Sequence, residues 1–90
     1  MERSGFVERL RTIDNLTASE AKIARYMETH YPLIAFETIY SISEQCGVGT
    51  ATVTRFVTRL GYESFSDFRA QIRSEVSLQL DTPIQRFSTL

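Results

Sequence analysis

The 90-residue chain lacks the features that would direct it to a membrane, to secretion or to a metal. It has one cysteine, Cys46, and one histidine, so it can form no internal disulfide and no zinc site built from several cysteines. No stretch approaches the ~20 apolar residues that span a bilayer. The opening stretch MERSGFVERLRT lacks the apolar centre of a secretory signal. We therefore expect a cytoplasmic protein with no metal, no cofactor and no membrane partner.

Neither sign of charge dominates the sequence. Ten basic residues stand against eleven acidic ones, for a net charge of −1, which by itself argues against a strongly basic nucleic-acid binder. Catalytic patterns are also missing. No carboxylate pair converges on one site, no nucleophile neighbours the histidine, and the Gly-Val-Gly at 47–49 is too short for a phosphate-binding loop. We expect no enzyme.

Proline and glycine are scarce, with two and four residues, and strand signals are poor. Apolar residues recur at helical spacing instead. The sequence predicts an all-α fold, a compact bundle of five to six short helices. The expected helices cover residues 3–14, 18–29 after a Thr17–Glu20 capping box, a short piece after Pro32, 39–46 after a Thr38 cap, 50–60, and about 64–80. Residues 81–90 are expected to form a linker or frayed tail.

The stretch from about residue 39 to 58 has the pattern of a helix-turn-helix motif. Gly47 permits the left-handed backbone that ends the first helix abruptly. Val48 is an apolar anchor for the turn, and Ser43 is small enough for two helices to cross nearby. Val53, Phe56, Val57 and Leu60 share the inner side of the second helix at a period of 3.6 residues.

The opposite side of this second helix is suited to the major groove of DNA. Ala51, Arg55 and Thr58 share it, and no acidic residue occurs between Thr50 and Tyr62. Arginine can bond guanine twice, and threonine offers a hydroxyl and a methyl group. The helix N-terminus adds free N–H groups for phosphate. The full set of predicted DNA-binding residues is Thr50, Ala51, Thr52, Thr54, Arg55, Thr58 and Arg59.

Two quoted stretches, LTASEAKIARYM and ISEQCGVGTATVTRFVTRLGYESFSDFR, resemble the N-terminal domain of RpiR-type bacterial transcription regulators. The resemblance covers about residues 6–80. It implies a homeodomain-like helix-turn-helix domain, over residues 1–80, that binds double-stranded DNA as a homodimer. It also implies that residues 81–90 lead to a sugar-isomerase-like domain, absent here, which senses a phosphorylated sugar. Gly49 stands where the family commonly has serine, and Ser43 where alanine is usual.

Less specific interpretations stay open at this point. Arg55 could be a solvated side chain paired with Glu63 or Asp67. Tyr26, Tyr31, Phe36 and Tyr40 fit a core or a dimer interface better than base stacking, on their helical spacing. The leading function is sequence-specific DNA binding in a bacterial transcription regulator, controlling genes of sugar or sugar-phosphate metabolism. The alternative is a helical protein-interaction module that does not bind DNA.

Overall fold

Local capping signals in the sequence begin and end most of the helices. The computed structural model describes the backbone of residues 5–89 and the side chains of residues 5–77. Within that part the chain forms five α-helices, α1 Phe6–Thr12, α2 Ala18–His30, α3 Ile39–Cys46, α4 Thr50–Arg59 and α5 Phe65–Thr89, with a 3₁₀ helix at Leu33–Phe36. No strand occurs in the described range, so the all-α prediction is confirmed.

The predicted caps are present at both early helix starts. The Thr17 hydroxyl accepts from the Glu20 N–H at 3.1 Å, and the Glu20 carboxylate accepts from the Thr17 N–H at 3.0 Å. Thr38 caps α3 by accepting from the Ser41 N–H at 3.0 Å. Each bond satisfies a backbone donor that the first turn of a helix leaves unpaired. The structure confirms both predicted helix starts. Each could be predicted because its cap depends on residues only three positions apart.

One apolar core joins all the elements. Each contributes side chains that are less than a tenth exposed, so a small domain buries a continuous interior. The aromatic part of this interior centres on Phe6, whose ring lies 5.5 Å from those of Tyr31 and Phe68. The large, fully buried side chains are Phe6, Ile23, Met27, Ile34, Ile42, Val53, Phe56, Val57, Phe68 and Ile72.

Three predicted element bounds differ from the structure. Helix α1 covers Phe6–Thr12 instead of 3–14, and the short helix expected after Pro32 is a 3₁₀ helix at Leu33–Phe36. Helix α5 continues to Thr89 instead of ending near residue 80, so residues 81–89 are helical rather than frayed, and their role as a linker stays a prediction. An apolar stripe is not required for backbone hydrogen bonding, so the end of the stripe did not mark the end of the helix.

No helix in the described part of the chain combines the length and the apolar content needed to cross a bilayer. Of the four aromatics expected in a core or at a dimer interface, two lie on the surface. Phe36 and Tyr40 are 65% and 73% exposed, whereas Tyr26 and Tyr31 pack against the core. A core position is therefore excluded for Phe36 and Tyr40, because the 3₁₀ helix and the start of α3 turn their other residues inward.

Candidate nucleic-acid interface

The turn between α3 and α4 is fixed by a left-handed glycine and a serine–valine pair. Gly47 has φ +70°, a backbone conformation that residues other than glycine rarely adopt. The Val48 N–H donates to the Ser43 carbonyl at 3.0 Å, and the Ser43 hydroxyl donates to the Val48 carbonyl. Ser43 is buried, so these bonds answer what its hydroxyl does at a position where alanine would be expected. The angle between α3 and α4 is thereby set by residues that are close in the sequence.

The inner face of α4 anchors the helix to the core. Val53, Phe56 and Val57 have no exposed surface, and Leu60, the residue that caps the helix, is 6% exposed. Truncating a fully buried Phe to alanine costs about 3–5 kcal/mol in well-packed proteins. The predicted inward residues of α4 are therefore confirmed as core.

The outer face of α4 carries the predicted DNA-binding residues. Ala51, Thr54, Arg55, Thr58 and Arg59 are exposed, and Thr50 and Thr52 are partly exposed. The structure thus places all seven on or beside the solvent side of one ten-residue helix. Their contact with DNA stays a prediction.

Arg55 points along this face toward the start of α4. Its Nη2 lies 3.4 Å from the Thr52 Oγ1, a long hydrogen bond. Among the side chains of residues 5–77 it forms no ion pair, so the alternative pairing with Glu63 or Asp67 does not occur there. Its guanidinium therefore keeps its donors and its charge available at the surface.

Arg59 differs from Arg55, because its guanidinium is already bonded inside the molecule. Its Nη1 lies 2.6 Å from the Glu20 Oε1, and its Nη2 donates to the Asp14 carbonyl at 2.9 Å. The same Glu20 oxygen accepts from the Thr17 N–H. Arg59 thus connects the end of α4 to the start of α2, a structural role that the sequence analysis did not foresee.

The Thr58 hydroxyl also forms a hydrogen bond inside the molecule, within α4 itself. Its Oγ1 donates to the Thr54 carbonyl at 3.0 Å, the back-bonding that threonine often makes inside helices. Thr58 is exposed, and with its O–H bonded inside the helix it can offer a partner its methyl group and the remaining acceptor capacity of its hydroxyl. An apolar contact, such as one to a thymine methyl, suits this arrangement.

The N-terminus of α4 presents uncapped backbone donors. Gly49 is the N-cap, and no side chain in the described residues accepts a bond there. The first turn contains no acidic residue. Unpaired N–H groups and the positive end of the helix dipole favour an anion such as a phosphate.

The C-terminal end of α4 is hydrogen-bonded to a side chain of α1. Gly61, with φ +105°, turns the chain, and the Tyr62 N–H donates back to the Val57 carbonyl at 3.1 Å. The Arg9 Nη1 donates to the Leu60 carbonyl at 3.1 Å, and the Arg9 guanidinium lies 4.5 Å from the centre of the Tyr62 ring. A cation at a helix C-terminus complements the dipole. No sequence signal marks Arg9 for this contact, since it lies 51 residues from Leu60.

Burial keeps two titratable groups next to α4 neutral. It raises the pKa of Tyr62 to about 12, although the nearby Arg9 charge acts in the opposite direction. Burial also raises the pKa of the Cys46 thiol, an effect to which the Glu37 carboxylate adds. Cys46 is 8% exposed, as expected for a small apolar residue rather than a reactive thiol.

Comparison with known families decides the class of this helix-turn-helix. The model of the helix-turn-helix domain of the rpiR family matches residues 5–79. The chain belongs to this family. The match covers α1 to α4 and most of α5, so it includes the turn at Gly47 and the whole of α4. The rpiR helix-turn-helix family is a class of transcription-regulator domains and not a class of enzymes.

A curated relative agrees with this assignment. Over 68 residues, 76% of the chain, the sequence is 35% identical to an uncharacterized HTH-type transcriptional regulator of Clostridium perfringens (strain 13 / Type A). The aligned part is 24% of that protein's length. No solved structure matches the chain significantly. The rpiR resemblance stated from the sequence motifs is therefore confirmed.

Proposed function

We propose that this rpiR-family domain binds double-stranded DNA sequence-specifically, with the outer face of α4 in the major groove. The observation that carries the proposal is the exposed Arg55, which forms no ion pair with the side chains of residues 5–77, on a helix whose opposite face is buried. A helix held in this way presents a fixed ridge, and arginine is the side chain that most often reads guanine by two bonds.

The surroundings of Arg55 support the same proposal. The neighbouring outward positions, Ala51 and Thr54, are small and permit close approach. The uncapped N–H groups near Gly49 suit a phosphate of the duplex backbone. Arg59 is assigned a positioning role in this proposal, because its bonds to Glu20 and Asp14 set the orientation of α4.

The biological setting extends the proposal beyond these 90 residues. The chain spans about a quarter of its curated relative, a regulator by name. In the proposal the domain works in the cytoplasm as part of a homodimer in a longer bacterial regulator. That regulator controls genes of sugar or sugar-phosphate metabolism, through a phosphorylated sugar bound by a further domain reached through residues 81–90.

Substitution of Arg55 tests the proposal. Arg55→Ala is expected to weaken binding to a selected operator by about 1–3 kcal/mol and to relax base preference, because a bidentate base contact is lost. Helical content measured by circular dichroism should not change. Operators are first selected from a random duplex pool, and affinities are then measured at two salt concentrations, since phosphate contacts make binding salt-dependent.

A charge-matched control separates base reading from general attraction. Arg25→Ala removes one exposed guanidinium from α2 and should lower affinity for all sequences slightly and equally. An Arg55→Ala variant that binds like the parent protein would contradict the assignment of this face. A parent protein without salt-dependent affinity for any duplex would instead favour the protein-interaction module.

A further inference from the structure

A cavity of about 300 Å³ lies between α2 and the end of α3, and we call it the α2–α3 cavity. Five residues of α2 line it, from Lys22 to His30, at the three- and four-residue spacing of one helical face. Gln45 and Cys46, the last two residues of α3, complete the lining. Ligand sites in helical proteins often lie between helices, and this volume is at the small end of their range.

Hydrogen-bond donors without an internal acceptor line most of this cavity. Lys22 and Arg25 are exposed, and the side chain of neither forms a hydrogen bond or an ion pair with the described residues. The Thr29 hydroxyl and the Gln45 amide also form no hydrogen bond in that part of the chain. Two cations and two neutral donors are therefore available together around one space.

Two stacked rings form a fixed wall of the α2–α3 cavity. The rings of Tyr26 and His30 stack with their centres 4.1 Å apart. The His30 Nδ1 donates to the Tyr26 carbonyl at 2.8 Å, which leaves Nε2 as the ring nitrogen that can meet a ligand. The Tyr26 hydroxyl donates to the Glu37 carboxylate at 2.8 Å. These contacts hold both rings before a ligand arrives, and such preorganisation lowers the cost of binding.

The charges around the α2–α3 cavity favour an anion. Burial raises the pKa of the Cys46 thiol and Glu37 adds to this rise, whereas Lys22 acts in the opposite direction. The Lys22 ammonium therefore lies near the thiol, at the cavity. No carboxylate of the described residues lines the cavity. Glu37 accepts instead from the hydroxyls of Tyr26 and Ser41, at 2.8 and 2.9 Å.

We propose that the α2–α3 cavity binds a phosphate group. A carboxylate offers two oxygens, fewer than the donor groups that line the cavity, whereas a phosphate group offers three strong acceptors. Arginine and lysine both bind phosphate oxygens well. No lining residue lies on α4, so the cavity can be occupied while Arg55 stays exposed. The site is thus separate from the surface assigned to base recognition.

The cavity lies next to the turn of the helix-turn-helix motif. Gln45 and Cys46 directly precede Gly47, the residue that ends α3. A phosphate bonded to Arg25 of α2 and to Gln45 of α3 joins these helices beside the turn. A ligand that binds only the folded state stabilises it, so occupancy of the cavity is expected to stabilise the domain.

Two sources can supply the phosphate group. One is a free phosphate compound. The other is the backbone of a bound duplex, because the four residues from Cys46 to Thr50 span at most about 14 Å and the start of α4 is itself suited to a phosphate. The chemistry at the cavity is the same in both cases, and two experiments distinguish them.

Titration with inorganic phosphate tests the first source. Two-dimensional amide NMR of the 90-residue chain follows the titration, with chloride at equal ionic strength as the reference. We expect saturable binding, with large shifts at the Gln45 side-chain amide and at Thr29. Lys22→Gln/Arg25→Gln should weaken binding about tenfold or more, because charged hydrogen bonds are lost. Circular dichroism verifies that the variant is folded.

A matched control tests whether the cavity or general attraction binds the anion. Arg11→Gln removes one positive charge from an exposed position on α1 and should bind phosphate like the parent. Lys22→Gln alone removes the same charge from the cavity and should weaken binding. Equal responses of these two single variants would show that phosphate is attracted by net charge alone, and would overturn the free-compound source.

Salt dependence of duplex binding tests the second source. A backbone phosphate in the cavity predicts that Lys22→Gln/Arg25→Gln weakens binding to all sequences alike and lowers the salt slope by about two. Either this result or saturable, cavity-dependent phosphate binding supports the inference. An unchanged salt slope together with phosphate binding that is absent, unsaturable or unaffected by the double variant overturns it. A chain that binds no duplex but binds phosphate in the cavity refutes the proposed function alone.

Discussion

The two ends of α4 are built in opposite ways. Its C-terminal end is bonded to other elements by two arginines, since Arg9 reaches the Leu60 carbonyl and Arg59 reaches Glu20. Its N-terminal end has a glycine cap with no side-chain bond among the described residues. Beside that end, Arg55 is exposed, and its one side-chain hydrogen bond among residues 5–77 is to Thr52 of its own helix.

This difference assigns the positioning of α4 to its C-terminal end and the proposed DNA recognition to its N-terminal end. The C-terminal bonds set the direction of α4 relative to α1 and α2. The N-terminal end leaves backbone donors of its first turn exposed to solvent, where a phosphate can accept from them. Two arginines four residues apart on one helix thus have different roles, one in positioning and one in the proposed recognition.

The largest expected loss of stability comes from adding a side chain at Gly61, just after the C-terminal end of α4. A Cβ at Gly61 would lie 2.9 Å from the Arg9 Nη1, and φ there is +105°, so Gly61→Ala should cost about 3 kcal/mol of unfolding free energy. Gly47→Ala, at φ +70° with no atom within 4 Å of the new Cβ, should cost about 1 kcal/mol. Urea unfolding of both variants measures the difference. Equal losses would mean that Arg9 moves aside without cost.

An intermediate effect is expected from cutting the bond to α2. Arg59→Ala should lower the unfolding free energy by about 0.5–1 kcal/mol, because the pair with Glu20 is partly exposed to solvent. A double-mutant cycle with Glu20→Ala separates this coupling from the capping role of Glu20. Operator affinity should fall less than in Arg55→Ala. The comparison between the arginines fails if Arg59→Ala keeps full stability and loses as much affinity as Arg55→Ala.

The smallest effect is expected at the N-terminal end. Gly49→Ser supplies the hydroxyl that the family commonly has there, and no atom lies within 4 Å of the added Cβ. A serine cap in place of glycine should raise the unfolding free energy by a few tenths of a kcal/mol. Thermal unfolding followed by circular dichroism detects this change. A loss of stability would show that Gly49 is required for its backbone rather than tolerated.

The sequence predicted features that depend on near neighbours. The Thr17 and Thr38 caps, the turn at Gly47 and the buried side of α4 each follow from residues within one or two helical turns. The outward position of Arg55 follows from the same 3.6-residue period. Local sequence alone therefore determines these elements, without information on any contact between helices.

Features that depend on distant residues were missed or misjudged. Arg59 meets Glu20 across 39 residues and Arg9 meets Leu60 across 51, and helical period contains no information on such pairs. Phe36 and Tyr40 were expected in a core or at a dimer interface on their helical spacing; the structure excludes the core and leaves the interface a prediction, because spacing alone does not show which side of the 3₁₀ helix or of α3 faces inward. The length of α5 was underestimated because its apolar pattern ends before its backbone hydrogen bonding does.

The split between the inner and outer faces of α4 has a consequence for how such domains diverge. Ala51, Thr54 and Arg55 contribute nothing to the buried interior, so exchanging them leaves the packing of Val53 and Phe56 intact. A gene duplicate could acquire a new operator by changing these positions one at a time, without passing through an unfolded ancestor. The scaffold would be inherited while the regulatory target drifts.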